Sequence, residues 1–389
     1  MSPRERVVYL DYNATTPVDP RVGEAMTYCL EETFGNASST EYRPGWDAAD
    51  AVEIARDAVR EAAGRPGCRV LFTSGATEAL NTVIQGYLRS ERHPPSRVVT
   101  CVSEHAAVLG PSRHFCRRSG VGLRLLPVDD LGHLDLSTLG DAMTGSVRPL
   151  VVIMAANNEI GTTHPLREIG SMVSVAGGIL LSDTTQIWGK IDATTDAGAA
   201  DFATMSAHKI CGPKGMGALL ARNPDDEIEP LIVGGGQECG GRAGTLNVPG
   251  IVGFGEACRL LETDAGRDLP RMAFLRDRLE EGILTQLPHT WVNGDRANRL
   301  CNTTNIGFKG IDARTLIRDM HDVAVSTRSA CSSGNSGPSH VLKAIGLSDE
   351  DAYSCIRFSL GRFTTREEID YAIGKVVTSA HKLRRSKGL

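Results

Sequence analysis

The chain has 389 residues, of which 41% are hydrophobic and 23% charged, and it carries a net charge of −5. Its length exceeds what one hydrophobic core usually supports, so two domains are expected. The charge balance excludes a general attraction to nucleic acid, and no apolar run is long enough to span a bilayer. Residues 1–6 carry no signal-peptide core, so a cytoplasmic protein is expected. The basic stretch 381–387 reads as a solvated end.

A strand-like Val7-Val8-Tyr9-Leu10 comes first. Apolar runs and helical patterns then alternate, which predicts an α/β fold with a mainly parallel sheet. Helices are predicted over 46–63 and 77–88, and strands over 69–72, 97–100, 150–154, 179–181 and 201–205. The strand ends carry, in turn, Thr73-Ser74-Gly75, Glu104-His105, Asn157-Asn158-Glu159 and Asp183. Open α/β sheets bind ligands outside such ends, so one pocket assembled from four of them is expected.

Beyond about residue 257 the pattern changes. A helix reaching about residue 263 joins the two parts, and a second helix, over 269–284, has Pro270 in its first turn, where proline is tolerated. Short strands near Val292 and over 304–308, with a last helix from Thr365, predict a smaller α+β domain. The boundaries expected are 16–257 for the large domain, and 1–15 with 258–389 for the small one.

The ten cysteines are scattered, with no C-x-x-C pair, which argues against a zinc ribbon, an iron–sulfur ligand set or a disulfide scaffold. Cys29, Cys68, Cys101, Cys116, Cys258 and Cys301 read as small buried hydrophobes. No metal site is expected.

Two stretches carry chemistry. In Ser206-Ala207-His208-Lys209 a lysine follows an apolar strand, and Asp183 and Gln186 lie just upstream. A lysine that forms a Schiff base with pyridoxal phosphate (PLP) needs such company: an acid for the ring nitrogen and donors for the phosphate. Thr73-Ser74-Gly75-Ala76-Thr77-Glu78 links a strand to a helix. It reads alone as an ordinary capped start, with Ser74 or Thr77 as cap, but as a phosphate cradle beside Asp183 and Lys209. Downstream, Cys331 sits in the small, polar run 329–339, which has the composition of a swinging loop.

These motifs, in order, resemble the cysteine desulfurases, within the class V group of fold-type I PLP enzymes. The resemblance spans nearly the whole chain. It rests on Tyr9-Leu10-Asp11-Tyr12-Asn13-Ala14-Thr15-Thr16-Pro17, Gly35-Asn36-Ala37-Ser38-Ser39, Thr73-Ser74-Gly75-Ala76-Thr77-Glu78, Asn157-Asn158-Glu159-Ile160-Gly161 and Ser206-Ala207-His208-Lys209. It continues through Gly234-Gly235-Gly236-Gln237-Glu238, Arg242-Ala243-Gly244-Thr245, Ser329-Ala330-Cys331 and Ile356-Arg357-Phe358-Ser359.

The resemblance implies a fold-type I enzyme with a seven-stranded, mainly parallel sheet in its large domain, converting L-cysteine to L-alanine with a persulfide on Cys331. Lys209 would carry the cofactor, Asp183 would pair with its ring nitrogen, and His105 would stack on the ring and move protons. Asn158 and Gln186 match the residues bonded to its phenolic oxygen; Thr77, Ser206 and His208 match phosphate ligands, and Ala76 matches a further cofactor-binding residue. Thr245 matches a phosphate ligand contributed by the other subunit, implying a homodimer with shared sites.

Arg357 matches the substrate carboxylate clamp, assisted by Asn36 and Asn158. Arg328 stands where many relatives carry glycine, implying a stiffer approach to Cys331 and slower or partner-dependent sulfur transfer. Cys239 stands where relatives often have arginine, implying a missing dimer-contact charge. The acceptor of the sulfur (iron–sulfur assembly, tRNA or cofactor thiolation, or DNA sulfur modification) is left open. A selenocysteine lyase or transaminase built on the same scaffold would not need Cys331.

Overall fold

A computed structural model describes residues 7–90, 95–192, 198–223, 228–327 and 337–386. Arg328 and Cys331 lie outside the described residues. The predicted strands appear as β2 (Arg69–Thr73), β3 (Arg97–Cys101), β5 (Leu150–Val152), β6 (Ile179–Ser182) and β7 (Phe202–Ser206). With β4 (Gly122–Leu126) and β8 (Gly217–Ala221) they form a seven-stranded sheet in the order β2-β8-β7-β6-β5-β3-β4. β8 pairs antiparallel with both its neighbours, and the other pairings are parallel.

Alternate residues explain why these strands read as continuous apolar runs. Val70, Phe72, Val151, Leu180 and Leu220 enter one buried core, while Leu71, Leu150, Val152, Leu181 and Leu219 enter a second. Both faces of the sheet are therefore covered, as a βαβ fold requires. α1 (Pro20–Glu31), α2 (Arg43–Ala62) and α6 (Leu166–Val175) supply the first core, and α3 (Ala76–Arg89) with α4 (Ala106–Ser119) the second.

A separate core joins β1 (Val8–Tyr9), β10 (Thr303–Phe308), β12 (Cys355–Ser359) and α11 (Arg366–Ser386). Here β10 lies between β9 (Thr290–Asn293) and β12, antiparallel to both. Beside them β1 pairs in parallel with β11 (Val323–Ala324).

One expectation is corrected. The helix predicted to about residue 263 and the one predicted over 269–284 are a single helix, α7 (Val248–Leu284), with Pro270 inside it. Proline removes one N–H from the ladder, leaving the carbonyl of Gly266 without its helical donor. The helix continues because its halves are held separately. Ile251, Phe254 and Cys258 pack in the first core, and Leu275, Leu279 and Ile283 in the small-sheet core.

The N-terminal segment crosses between the same cores. Leu10 N–H donates to Ala324 and Tyr12 N–H to Ser359, whereas Thr16 N–H donates to His208 and Asp19 N–H to Cys211. That crossing carries Asn13, Ala14 and Thr15 past the strand ends of the large sheet.

Candidate active site

A cavity of about 410 Å³ opens at those strand ends, lined by Asn13–Thr15 and by the ends of β2, β3, β5, β6 and β7. That volume suits a small cofactor together with a substrate. At one end of it lies the start of α3. The ordinary Ser74 or Thr77 cap, the alternative to a phosphate cradle, is not made: Gly75 is the N-cap, with no side-chain hydrogen bond, and the Glu78 carboxylate instead accepts from Ser74 N–H at 2.8 Å. The first-turn N–H groups have no partner inside the helix, so they and the helix dipole favour an anion.

Close backbone packing sets this cradle. Gly75 has φ +150, which favours glycine, and a Cβ built on Gly217 would lie 2.6 Å from Gly75 Cα. Ser206, at the end of β7, brings its Oγ to the same place.

Lys209 follows Ser206 in a short turn, and its Nζ donates to the carbonyls of Asn13 at 2.5 Å and Ala14 at 2.8 Å. His208 Nδ1 is 3.1 Å from Thr15 Oγ1, and burial, then Lys209 and Lys214, hold this imidazole down at about 4. It is neutral at pH 7.

Asp183, buried at the end of β6, is oriented through Oδ1, which accepts from Thr185 N–H at 3.1 Å and Thr204 Oγ1 at 3.2 Å. His105 caps α4 by accepting Ala107 N–H on Nδ1 at 3.1 Å. That bond puts the proton of the neutral ring on Nε2. Burial lowers its pKa, with Lys209 acting in the same direction and Asp183 against it.

Arg357 of β12 also lines the cavity and is fully buried. Its Nη2 donates to Asp11 Oδ1 at 2.6 Å and its Nη1 to the Asn158 carbonyl at 3.0 Å. Gln186 Nε2 donates to the Asn13 carbonyl at 3.1 Å, and Asn13 Nδ2 donates to the Asn158 carbonyl at 3.2 Å.

Residues 8–372 match the family model described as Aminotransferase class-V. The chain is 41% identical to a cysteine desulfurase IscS of Rickettsia typhi over 97% of its own length and 92% of that protein. The chain belongs to the cysteine desulfurase family. A solved NifS-like protein superposes with a TM-score of 0.87 at 34% identity, covering 96% of this chain and 98% of that one. SspA in complex with cysteine superposes with a TM-score of 0.79 at 31% identity, covering 92% and 99%.

In this desulfurase-family chain the cavity gathers most of the residues singled out from sequence: Ala76, Thr77, His105, Asn158, Asp183, Gln186, Ser206, His208, Lys209 and Arg357. Two stand apart from it. Thr245 is exposed in its loop, and Asn36 is exposed with its side chain accepting Ser38 N–H. Cys331 lies outside the described residues. Of the cysteines read as buried, Cys301 is only partly so.

Sequence reading missed Asp11, Asn13, Thr15, Lys190 and Lys214. The first three stand in a motif quoted for the resemblance, but nothing local to them announces a contact made across the fold.

The chain's own groups fit PLP. The uncapped start of α3 and the Gly75–Gly217 approach suit a phosphate, and an oriented, buried carboxylate suits a ring nitrogen. An amine within reach of the same cavity suits an aldehyde.

Proposed function

We propose that this protein is a PLP-dependent cysteine desulfurase that converts L-cysteine to L-alanine and keeps the sulfur as a persulfide on Cys331. The observation that carries the reading is the convergence of Lys209, Asp183, His105 and Arg357 on one cavity in a chain of this family. Lys209 would hold PLP through Nζ, Asp183 would face its ring nitrogen, and Ala76, Thr77, Ser206 and His208 would hold its phosphate. When bound, PLP supplies the electron sink that lets the substrate's Cα proton leave and its C–S bond break.

The chain's residues do the rest. Arg357 binds the substrate carboxylate with the N–H groups that Asp11 and Asn158 leave available, a pairing that guanidinium geometry favours. Asn158, and Asn36 from its exposed loop, assist there. Lys209 Nζ takes the proton from Cα, for which it must be neutral. His105, neutral and protonated on Nε2, moves a proton at the substrate sulfur.

Cys331 thiolate attacks that sulfur. The C–S bond breaks, a sulfur–sulfur bond forms, and the carbon fragment takes up protons and leaves as alanine. The described residues flanking Cys331 support this role. Ser326 Oγ donates to Asp11 Oδ2 at 2.8 Å, and His340 Nε2 lies 2.9 Å from the Glu104 carbonyl, next to His105.

The persulfide then passes to an acceptor protein. Thr245 completes the phosphate site of a second copy. Its exposure supports a homodimer, as do the exposed apolar side chains of Tyr28, Leu30, Phe34, Trp46 and Val233. A large domain over 16–257, a small one over 1–15 and 258–389, and a cytoplasmic location complete the reading. The free thiols among the described residues fit a reducing compartment.

The test is alanine formation from L-cysteine by the purified PLP-loaded protein. Wild type is expected to form alanine, and Cys331→Ala to lose it by at least a hundredfold. Equal alanine from both would place Cys331 outside the chemistry and favour a lyase.

A further inference from the structure

Lys190 is a buried amine that the mechanism above does not use. It ends the turn after β6, where its N–H donates to the Ile187 carbonyl at 3.0 Å and its own carbonyl accepts from Cys301 N–H at 3.2 Å. The side chain runs inward and is 5% exposed. Among the described residues no carboxylate pairs with it. Its Nζ instead donates to Gln186 Oε1 and, at 3.2 Å, to Asn13 Oδ1.

Both acceptors belong to the site. Gln186 lines the cavity and its Nε2 donates to the Asn13 carbonyl, which is also the acceptor for Lys209 Nζ. A terminal amide can present either its oxygen or its NH2 group to a given direction, and only its hydrogen bonds decide which. Lys190 Nζ donates to Gln186 Oε1 and Asn13 Oδ1 with two N–H groups, which it has whether charged or neutral, so it holds the oxygen of Gln186 on its own side. One N–H of Nε2 is then used by the Asn13 carbonyl, and the other remains for the cavity. Through Asn13 Oδ1 the same amine helps to hold the residue that receives Lys209.

We propose that Lys190 is a positioning residue that sets the amide of Gln186 so that the cavity receives an N–H donor rather than an oxygen. The inference rests on the reading that this cavity holds PLP. It adds to that reading a residue that need not touch the cofactor and yet sets what the cofactor's phenolic oxygen meets. An N–H aimed at an ionised oxygen lowers that oxygen's affinity for a proton shared with a neighbouring nitrogen. A carbonyl oxygen in the same place raises it. Burial, then Lys209, holds Lys190 well below the ordinary lysine range, with Arg357 acting the same way and Cys301 and Cys211 against it; Asp183, Glu78, His105, His208, Lys209, Lys214 and Arg357 face the cavity itself.

The experiment titrates the visible absorption band of the PLP-loaded protein with pH and measures PLP content separately after alkaline release. Lys190→Met is expected to keep its PLP and to raise the apparent pKa of the band by about one unit, the worth of one hydrogen bond to a charged group. Gln186→Ala is expected to shift it equally, and the double variant no further. Lys190→Arg keeps the donors, and a cavity of about 40 Å³ beside Lys190 gives it room, so its band is expected to titrate as in wild type.

A loaded Lys190→Met protein that titrates as wild type, or shifts that add in the double variant, would overturn the role. So would a Lys190→Arg protein shifted as far as Gln186→Ala, which decides the matter even if the methionine variant does not fold. A wild-type protein that takes up no PLP would overturn the cofactor reading and this inference together.

Discussion

Every polar atom of Asn13 has a partner. Its N–H donates to Ser359 Oγ, its carbonyl accepts from Gln186 and Lys209, and its side chain bonds Asn158, Thr303, Asn302 and Lys190. Such a residue is invisible in a local reading, because each of these partners is remote in sequence. Lys209 and Asp183 were legible because their chemistry is rare and each closes a strand.

The sequence singled out Arg357 as a proposed clamp, but not its keeper, Asp11. Asp11 Oδ1 accepts from Arg357 Nη2, and Asp11 Oδ2 from Ser326 Oγ. We expect Asp11→Asn to raise KM for L-cysteine about ten- to a hundredfold, the value of one hydrogen bond between charged groups, with a smaller change in kcat. Steady-state kinetics over a range of cysteine concentrations measures this. A fall in kcat at unchanged KM would contradict the role given to Arg357.

Among the elements, the start of α3 and the antiparallel strand β8 together would form the proposed anion cradle. β8 can approach only because residue 217 is glycine: a Cβ there would lie 2.6 Å from both Gly75 Cα and the Met205 carbonyl. Gly217→Ala is expected to cost about 1–3 kcal/mol of stability by overpacking and to weaken PLP retention as well. Urea unfolding and PLP content after dialysis check the two effects, and an unchanged PLP content would place the phosphate elsewhere.

Five of the seven strands of the large sheet were legible because burial on both faces makes them continuously apolar, and their ends were placed within a residue or two; β4, half-exposed at the sheet edge, and β8 were not. The break expected between residues 263 and 269, just before Pro270, was not there. Its rule describes an isolated helix, whereas the two halves of α7 are each clamped by a different core. The missing side-chain cap on α3 has a similar cause, since Glu78 takes Ser74 N–H and is itself held by Arg242 at 3.0 Å.

On the scale of the whole molecule, two cores share one helix and one N-terminal crossing, and the site lies where the crossing passes the large sheet. Stability over this body depends on pH through a residue that does not line the cavity. His164 is 4% exposed, and neither ring nitrogen has a partner among the described residues. Burial, with His133 acting the same way, pushes it down to about 4. The unfolded chain takes up this proton near pH 6.5, well before the folded one does. The stability it contributes is therefore complete above pH 6.5 and drains away as pH falls towards 4, by about 3 kcal/mol. Urea unfolding between pH 7.5 and 4.5 is expected to show a shallower pH slope for His164→Leu than for wild type. Equal slopes would contradict the assignment.

The central claim, that sulfur leaves cysteine for Cys331, is tested most directly by one turnover. PLP-loaded protein is mixed with L-cysteine without reductant, and the mass of the peptide carrying Cys331 is measured. The account requires that peptide to gain the mass of one sulfur atom, lost again on reduction, together with one alanine per site. Alanine released with no sulfur on Cys331 would contradict it.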